Sequence, residues 1–278
     1  MAAPPPTMET FTLTPPSHGE TAVLVEVPHA GLGVPDSVRE QLVVPTRIVL
    51  RDSDVYVDKL YADAPLVGAS LLASHVSRYV VDLNRAPDDV DRETVSDHPD
   101  PRGVSPRGVV WRVTTDGLPA LRGPLRFEEL CDRLERYHRP YHRTLERALD
   151  GKRERFGHAF LLAAHSMPSA ARVGAARRPR ADVVPGTRGR TTADARVIEL
   201  VDSHFKSAGL TVRHDDPSRG GWTTARYGRP SEGVHAIQIE LNRALYMDEA
   251  TGRPRDGEFE ALQATVRALV ERLGALAL

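Results

Sequence analysis

The chain has 278 residues, a formal net charge of −1 and 40% hydrophobic residues, a composition typical of an ordinary globular protein. This near-neutral charge gives no reason to expect nucleic acid or an acidic membrane surface as a partner. The single cysteine, Cys131, excludes an intrachain disulfide. No apolar run approaches the roughly 20 residues of a membrane span, and the N-terminus lacks the basic and apolar regions of a signal peptide. We therefore expect a cytoplasmic location.

The pattern along the chain predicts a flexible, proline-rich leader over residues 1–19 and a single α/β domain over residues 20–278. Short apolar, β-branched runs predict strands; they cover residues 21–27, 69–76, 158–164, 210–213 and 234–241. Apolar residues spaced three and four apart predict helices; they cover residues 57–64, 127–148, 197–208 and 259–276. Because strands and helices alternate, we expect a central mixed, mainly parallel sheet flanked by helices.

Two long segments without periodicity are predicted as loops. Residues 86–123 are rich in Pro, Gly, Asp and Arg, and a loop of this length is expected to form a lid or rim over a site. The second segment, residues 170–192, is predicted to be a mobile, solvated loop that either carries surface charge or binds an anion. Its basic residues are Arg172, Arg177, Arg178, Arg180, Arg188 and Arg190.

A histidine pair with metal-like spacing lies in the clearest helical pattern. His138 and His142 are four residues apart and flank Pro140, which is expected to kink the helix. They lack the neighbouring glutamate of an HExxH motif. Packing or polar bridging around the kink is therefore the favoured interpretation, with metal binding as the alternative.

Residues 78–85, RYVVDLNR, combine a short apolar strand pattern with charges. Charged side chains enter a core mainly when they are paired or used. One interpretation is a structural ion pair that includes Asp82. The other is a pair of guanidinium groups, Arg78 and Arg85, that bind an anionic substrate.

Polar side chains occur at or just beyond the carboxyl end of four predicted strands. They are His29, Asn84 with Arg85, His165 and Glu240. In open α/β sheets ligands bind at this edge. The convergence of these side chains therefore predicts a site.

Two histidines and a carboxylate leave an open coordination position on zinc, as hydrolytic sites require. Asp54 or Asp52 can supply the carboxylate, although an N-cap of the following helix is the alternative role for both. Glu240 would then be the general base. Alternatively, the histidines fill a core, or Ser166 is a nucleophile, although no GxSxG motif supports the latter.

Several motifs resemble those of the N-formylglutamate amidohydrolase family. They are VPHAGLGVP, RDSDVYVDKLY, SRYVVDLNR, RPYHRTL, HSMPS and GGWTTARYGRPSEGVHAIQIELNRALYMDE, and the resemblance runs from about residue 20 to 275. The resemblance implies a fold similar to that of the zinc carboxypeptidases and the aspartoacylase group, with one zinc ion.

The resemblance also implies a role for individual residues. His29, His165 and Asp54 would bind zinc, with Asp52 as the alternative third ligand. Glu240 would be the general base, and Arg78 would polarise the scissile carbonyl group. The substrate-binding residues would be Asn84 and Arg85, which hold a carboxylate, and Gly221 and Tyr227, which shape the pocket.

Two positions depart from the family pattern. The residue two before His165 is Ala163, where the family often has Asp, so His165 is expected to lack a carboxylate partner. Residues 186–192, GTRGRTT, contain Arg188 and Arg190 in place of a sequence richer in Asn and Cys. This second departure leaves the substrate open.

The expected activity is zinc-dependent hydrolysis of the linear amide of an N-formyl or N-acyl amino acid. The leading substrate implied is N-formyl-L-glutamate, which yields glutamate and formate in amino-acid metabolism such as histidine degradation. The alternatives are another small acylated or amidine-bearing substrate in a specialised pathway, or a binding protein without activity. The expected partner is a small carboxylate-bearing molecule, and the protein is expected to be a monomer or small homo-oligomer.

Overall fold

A computed structural model describes residues 8–173 and 176–278, in which strands and helices alternate. The strands are β1 (Phe11–Thr14), β2 (Val23–Val27), β3 (Ser70–Ser74), β4 (Ala159–Met167), β5 (Ala170–Val173), β6 (Ala176–Pro179), β7 (Val183–Gly186), β8 (Val234–Asn242), β9 (Met247–Asp248) and β10 (Arg253–Pro254). The α-helices are α1 (Asp36–Arg39), α2 (Thr46–Asp52), α3 (Val57–Leu60), α4 (Phe127–Arg133), α5 (Arg139–Phe156), α6 (Ala195–Ser207), α7 (Trp222–Tyr227) and α8 (Glu258–Gly274). None of the helices in these residues is long and apolar enough to cross a membrane.

Six strands form one mixed sheet in the order β1-β3-β2-β4-β8-β7. The four central strands run parallel, and β1 and β7 lie antiparallel at the edges. Strands buried on both faces read as continuous apolar runs, which is why β2, β4 and β8 were recognisable in the sequence. The predicted α/β fold class is confirmed, and the finer likeness to zinc carboxypeptidases stays a prediction.

Each face of the sheet packs against helices. Side chains of β2 such as Val25 contact a core formed with α6 and α8. Leu24, which points to the opposite face, belongs to a second core formed with α4, α5 and residues 80–83. This second face carries the predicted site residues of β4 and β8, because side chains two apart on a strand point the same way.

The predicted helix over residues 127–148 is interrupted. Helix α4 is followed by a π-helical turn, Leu134–His138, before α5 begins. Pro140 is the second residue of α5 and cannot donate a backbone hydrogen bond. A wider π turn directly before it accommodates the ring. The kink predicted at Pro140 therefore takes the form of this turn.

The predicted leader is wrong for residues 11–14, which form β1 and pair with β3. Phe11 packs edge-to-face on Tyr141 with 5.5 Å between ring centroids. Covering the edge of β3 and partly burying an aromatic ring outweigh the proline-rich composition. Of the remaining leader residues, residues 1–7 lie outside the described part of the chain.

The prediction of a mobile loop over residues 170–192 is also wrong. Strands β5 and β6 pair antiparallel, and β7 joins the main sheet beside β8. Val183 and Val184 of β7 are fully buried, but a two-residue apolar signal is hard to recognise in a basic segment. Residues 174–175 and the side chains of Arg172 and Arg177 lie outside what the structure describes. The predicted strand over residues 210–213 is reduced to a single bridge between Val212 and Val183.

Residues 79–84 are buried and their two flanking arginines are half-buried, but the segment of residues 78–85 forms no strand, so the predicted strand is wrong. Buried carbonyl groups outside a sheet need side-chain donors. Arg133 Nη1 lies 2.9 Å from the oxygen of Val80, and His142 Nε2 lies 2.9 Å from that of Leu83. His138 Nε2 similarly lies 2.9 Å from the backbone oxygen of residue 85. The histidine pair thus performs the polar bridging that the sequence favoured.

Candidate active site

A buried group of three side chains lies at the carboxyl edge of the sheet. His29 follows β2, His165 lies within the neighbouring β4, and Asp54 lies in the turn before α3. One ligand atom from each residue lies within 4.8 Å of the other two. The backbone N–H of Asp54 donates to the His29 carbonyl at 3.0 Å, which fixes the turn against the strand end.

The donor atoms of this group fit a metal ion. Oδ2 of Asp54 lies 3.0 Å from Nδ1 of His165 and 3.5 Å from Nδ1 of His29. Ligands about 2.1 Å from a tetrahedral zinc ion lie about 3.4 Å apart, which is close to these separations. Nδ1 of His29 is buried and has no hydrogen-bond partner within the described part of the chain. The group can therefore bind a metal ion.

The charge state of Asp54 also suits a metal ligand. Burial by itself would raise the pKa of this carboxyl. The hydrogen bonds and charges of His165 and His29 outweigh burial and hold the pKa of Asp54 well below its usual range. Asp54 is therefore a carboxylate, the form that coordinates metals.

Asp52, the alternative ligand, is directed elsewhere. Its carboxylate accepts hydrogen bonds from Tyr79 Oη at 2.5 Å and from Thr115 Oγ1 at 2.6 Å. Neither aspartate caps the following helix, because Asp52 ends α2 and Tyr56 precedes α3. The N-cap interpretation is thus wrong, and of the two carboxylates only Asp54 joins the histidines.

Asp82 orients this group of three side chains without belonging to it. The sequence predicted only a structural role for Asp82. Its carboxylate accepts from His29 Nε2 at 2.8 Å, Arg78 Nη2 at 2.8 Å and Trp111 Nε1 at 2.9 Å. Burial alone would raise the pKa of Asp82, but the charges of Arg78 and His29 lower it well below the usual range. Because the Asp82 carboxylate accepts from Nε2 of His29, the other ring nitrogen, Nδ1, faces Asp54.

Arg78 is held firmly at the wall of the site. Nη1 donates to the backbone oxygen of Asp52 at 3.2 Å, and the guanidinium lies 4.2 Å from the centroid of the Trp111 ring. Trp111 belongs to the long loop of residues 86–123, which contains no helix or extended strand. Through Trp111, this loop contacts both Arg78 and Asp82 and helps to orient them.

Glu240 lies on β8 directly beside His165, its register partner on β4. Gln238 Nε2 donates to Oε1 of Glu240 at 2.8 Å. Burial raises the pKa of Glu240, and the negative charge of Asp54 adds to this effect, while the neighbouring His165 opposes it. A half-buried carboxyl with a raised pKa is suited both to accept a proton and to return it.

Asn84 is locked in place by α7. Its Oδ1 accepts from the backbone N–H and the hydroxyl of Thr223, both at 3.0 Å. Its Nδ2 lies 3.3 Å from Nε2 of His165. A Cβ on Gly221 would come within 2.3 Å of this amide, so only glycine fits there.

These side chains surround a cavity of about 410 Å³. Eight of the nine predicted site residues line it: His29, Asp54, Arg78, Asn84, Arg85, His165, Gly221 and Glu240. Tyr227 does not, and its predicted place in the pocket is corrected. It lies at the end of α7 in the apolar core, where its hydroxyl is 3.1 Å from Nδ1 of His142.

Arg243 is a buried neighbour of the site that sequence reasoning missed. Its guanidinium donates to the Ser53 carbonyl at 2.7 Å, to Oδ1 of Asp54 at 3.3 Å and to Ser166 Oγ at 3.1 Å. The tripeptide Leu-Asn-Arg occurs at residues 83–85 and again at 241–243, which is a signal that could have drawn attention to it. Ser166 lies between Arg243 and Asp54, so it supports the ligand and is not placed as a nucleophile.

The strand next to Ala163 carries a buried carboxyl group. Glu26 of β2 is the register partner of Ala163, so both lie on the same face of the sheet. Glu26 is fully buried, and neither carboxyl oxygen forms a hydrogen bond with the described residues. Burial raises its pKa to about 8, although the hydroxyls of Thr223 and Tyr141 oppose the shift.

Comparisons with known proteins agree on one family. Residues 21–247 match the model of the N-formylglutamate amidohydrolase family. An N-formylglutamate deformylase of Pseudomonas putida is 36% identical over 83% of this chain and 84% of its own length. One from Pseudomonas aeruginosa is 34% identical over 92% of this chain and 93% of its own.

A solved structure shows the same fold. The crystal structure of N-formylglutamate amidohydrolase from Ralstonia eutropha JMP134 is similar with a TM-score of 0.87 and 32% identity. The match covers 96% of this chain and 98% of that one. With a family match over most of the chain and relatives above 30% identity, this chain belongs to the N-formylglutamate amidohydrolase family.

Proposed function

We propose that this protein is a zinc-dependent hydrolase that converts N-formyl-L-glutamate and water to L-glutamate and formate. The observation that carries the proposal is the buried group of His29, Asp54 and His165 with Glu240 directly beside it. Membership of the N-formylglutamate amidohydrolase family supports this choice of substrate.

The ligand set favours zinc among the common metals. Two imidazole nitrogens and one carboxylate oxygen are a typical catalytic zinc set, and three protein ligands leave a position for substrate or water. When bound, the ion would supply Lewis acidity, which lowers the pKa of water and polarises a carbonyl group.

Glu240 is assigned the proton transfers. It takes a proton from the attacking water, whose oxygen adds to the formyl carbon. It then passes this proton to the glutamate nitrogen as the C–N bond breaks, so one carboxyl group serves first as base and then as acid. The burial that raises the pKa of Glu240 suits both steps.

Arg78 is assigned to the developing oxyanion. Its guanidinium is fixed by Asp82 and Trp111 before substrate arrives. A donor that needs no reorientation stabilises negative charge as it forms. Arg78 also lines the cavity, beside His29 and Asp54.

Asn84 and Arg85 are assigned to the α-carboxylate of the substrate. This carboxylate is one carbon from the scissile nitrogen, so it must bind close to the metal group. The Asn84 amide is 3.3 Å from His165, and Arg85, at the next position, lines the same cavity. A guanidinium and an amide together provide directional donors for a carboxylate.

The test is release of formate and glutamate from N-formyl-L-glutamate by zinc-loaded protein, followed by NMR. The D-enantiomer and N-acetyl-L-glutamate serve as comparison substrates. We expect turnover of the L-formyl compound and none in a His165→Ala variant. Turnover of another acylated amine alone would support the alternative substrate, and binding without turnover would support a binding protein.

A further inference from the structure

Among the described residues, three arginines line the cavity, and two of them already have partners within the protein. Arg78 is bonded to Asp82 and to a backbone carbonyl. Arg85 donates from Nε to the Arg107 carbonyl at 3.0 Å, and its Nε lies 4.0 Å from a carboxylate oxygen of Asp89. The third is Arg219, which lies at the exposed rim of the cavity.

Arg219 has a free guanidinium as far as residues 8–173 and 176–278 are concerned. No carboxylate of these residues lies within 4.0 Å of it, and its side chain makes no hydrogen bond with them. An arginine that faces a cavity without a partner is well suited to bind an anion, since five N–H donors are available in a planar fork.

The backbone that carries Arg219 is fixed by the segment of residues 186–192. The backbone N–H of Arg188 donates to the Arg219 carbonyl at 2.8 Å, and Nη1 of Arg188 donates to the Gly220 carbonyl at 3.1 Å. Asp215 in turn accepts from the N–H groups of Thr187 at 2.8 Å and Gly189 at 2.6 Å. The loop is therefore held in place before substrate binds.

Residues 186–192, which depart from the family pattern, contact the loop that carries Arg219. Neither Arg188 nor Arg190 lines the cavity. Arg188 instead donates to the carbonyl groups of two consecutive residues, Arg219 and Gly220. The segment contributes to the site through Arg219, the cationic side chain that it positions.

We propose that Arg219 binds the side-chain carboxylate of the substrate and so determines the preference for an acidic N-formyl amino acid. This inference rests on the proposed function. When the α-carboxylate lies at Asn84 and Arg85, the glutamate side chain extends two methylene groups away from the metal group. We place its carboxylate beside Arg219, which lines the same cavity, where a charge-assisted, bidentate pair with a guanidinium can form.

The test compares Arg219→Gln with wild type on N-formyl-L-glutamate and on N-formyl-L-glutamine, which has nearly the same shape without the charge. We expect kcat/KM for the glutamate substrate to fall about 10- to 100-fold, chiefly through KM, because one charge-assisted interaction is lost. The glutamine substrate should change less than about twofold. Arg219→Lys should recover part of the loss, because it restores charge without the fork.

Arg190→Gln is the matched control, since Arg190 is exposed in the neighbouring segment and does not line the cavity. If Arg219→Gln lowers kcat/KM by the same factor on both substrates, or lowers it on neither, the proposed role of Arg219 is overturned. The proposed function would stand in that case. A wild-type protein that releases no formate from N-formyl-L-glutamate would instead contradict the proposed function.

Discussion

Nε2 of His29 donates a 2.8 Å hydrogen bond to Oδ1 of Asp82, and the opposite ring nitrogen of His29 faces the carboxylate of Asp54. The pair fixes both the ring orientation and the tautomer, because an ionised Asp82 can only accept. Asp82 also binds Arg78. One carboxylate thus orients a candidate metal ligand and the candidate oxyanion donor together.

Asp82→Asn should therefore weaken metal binding although Asp82 is not a ligand. We expect zinc affinity to fall about 10- to 100-fold, measured by competition with a chromophoric chelator. Asp91→Asn is the control, because Asp91 is another buried loop carboxylate but pairs with Arg112. Equal zinc affinities of the Asp82 variant and wild type would contradict the orienting role.

Glu240→Gln should retain zinc and lose turnover. The amide keeps the size of the side chain but cannot accept the proton from water, so we expect kcat to fall at least about 10²- to 10⁴-fold. Metal content by elemental analysis and formate release are measured on the same sample. Turnover close to wild type in the zinc-loaded variant would contradict the assignment of Glu240 as base.

Glu26 should make stability depend on pH. Its pKa is 4.5 in the unfolded chain and about 8 in the folded protein, so the folded state binds more protons between these values. The free energy of unfolding should therefore fall as pH rises from about 4.5 to 8, by about 1.4 kcal/mol per unit at most.

Glu26→Gln should remove this dependence, because the amide does not ionise. The free energy of unfolding is measured with urea at pH 5.5, 7 and 8.5 with saturating zinc. Relative to wild type, the value for the variant should increase as pH rises. Glu154 is an exposed residue of α5 and provides the control. The free energy of unfolding of Glu154→Gln should change with pH in the same way as that of wild type. A difference between Glu26→Gln and wild type that stays constant with pH would show that Glu26 has no raised pKa.

Arg133 should be essential to the turns of residues 78–85. It is almost fully buried and donates to the Val80 carbonyl at 2.9 Å. Arg133→Met would leave buried carbonyl groups unpaired, so we expect a loss of about 2–4 kcal/mol in the free energy of unfolding. Arg136→Met, whose guanidinium is exposed and pairs with Asp132, should change stability by less than about 0.5 kcal/mol. Similar losses in both variants would contradict this role.

Continuous apolar runs made the central strands of the sheet predictable, whereas the sequence did not predict the two edge strands. β2, β4 and β8 are buried on both faces and read as such in the sequence. β1 and β7 have four residues each, and their strand character comes from pairing with a neighbour. Residues 78–85 have a strand pattern, yet they form turns because side chains of α4, the π turn and α5 bind their carbonyl groups.

Residues on strands that end at one edge could be grouped from the sequence, and His29, His165 and Glu240 do meet there. Asp82 and Arg243 could not be placed in this way, because each acts through another side chain rather than through its position on a strand. Arg219 could not be placed from the sequence either, because its position depends on hydrogen bonds between two loops that are distant in sequence.

The most direct test of the central claim is a zinc titration of metal-free protein in which bound zinc and formate release from N-formyl-L-glutamate are measured together. If His29, Asp54 and His165 hold one catalytic ion, activity should rise linearly and stop rising at one zinc per chain. Asp54→Asn should bind zinc more weakly and reach little activity. Full turnover by the metal-free protein, or activity that does not follow bound zinc, would contradict the account.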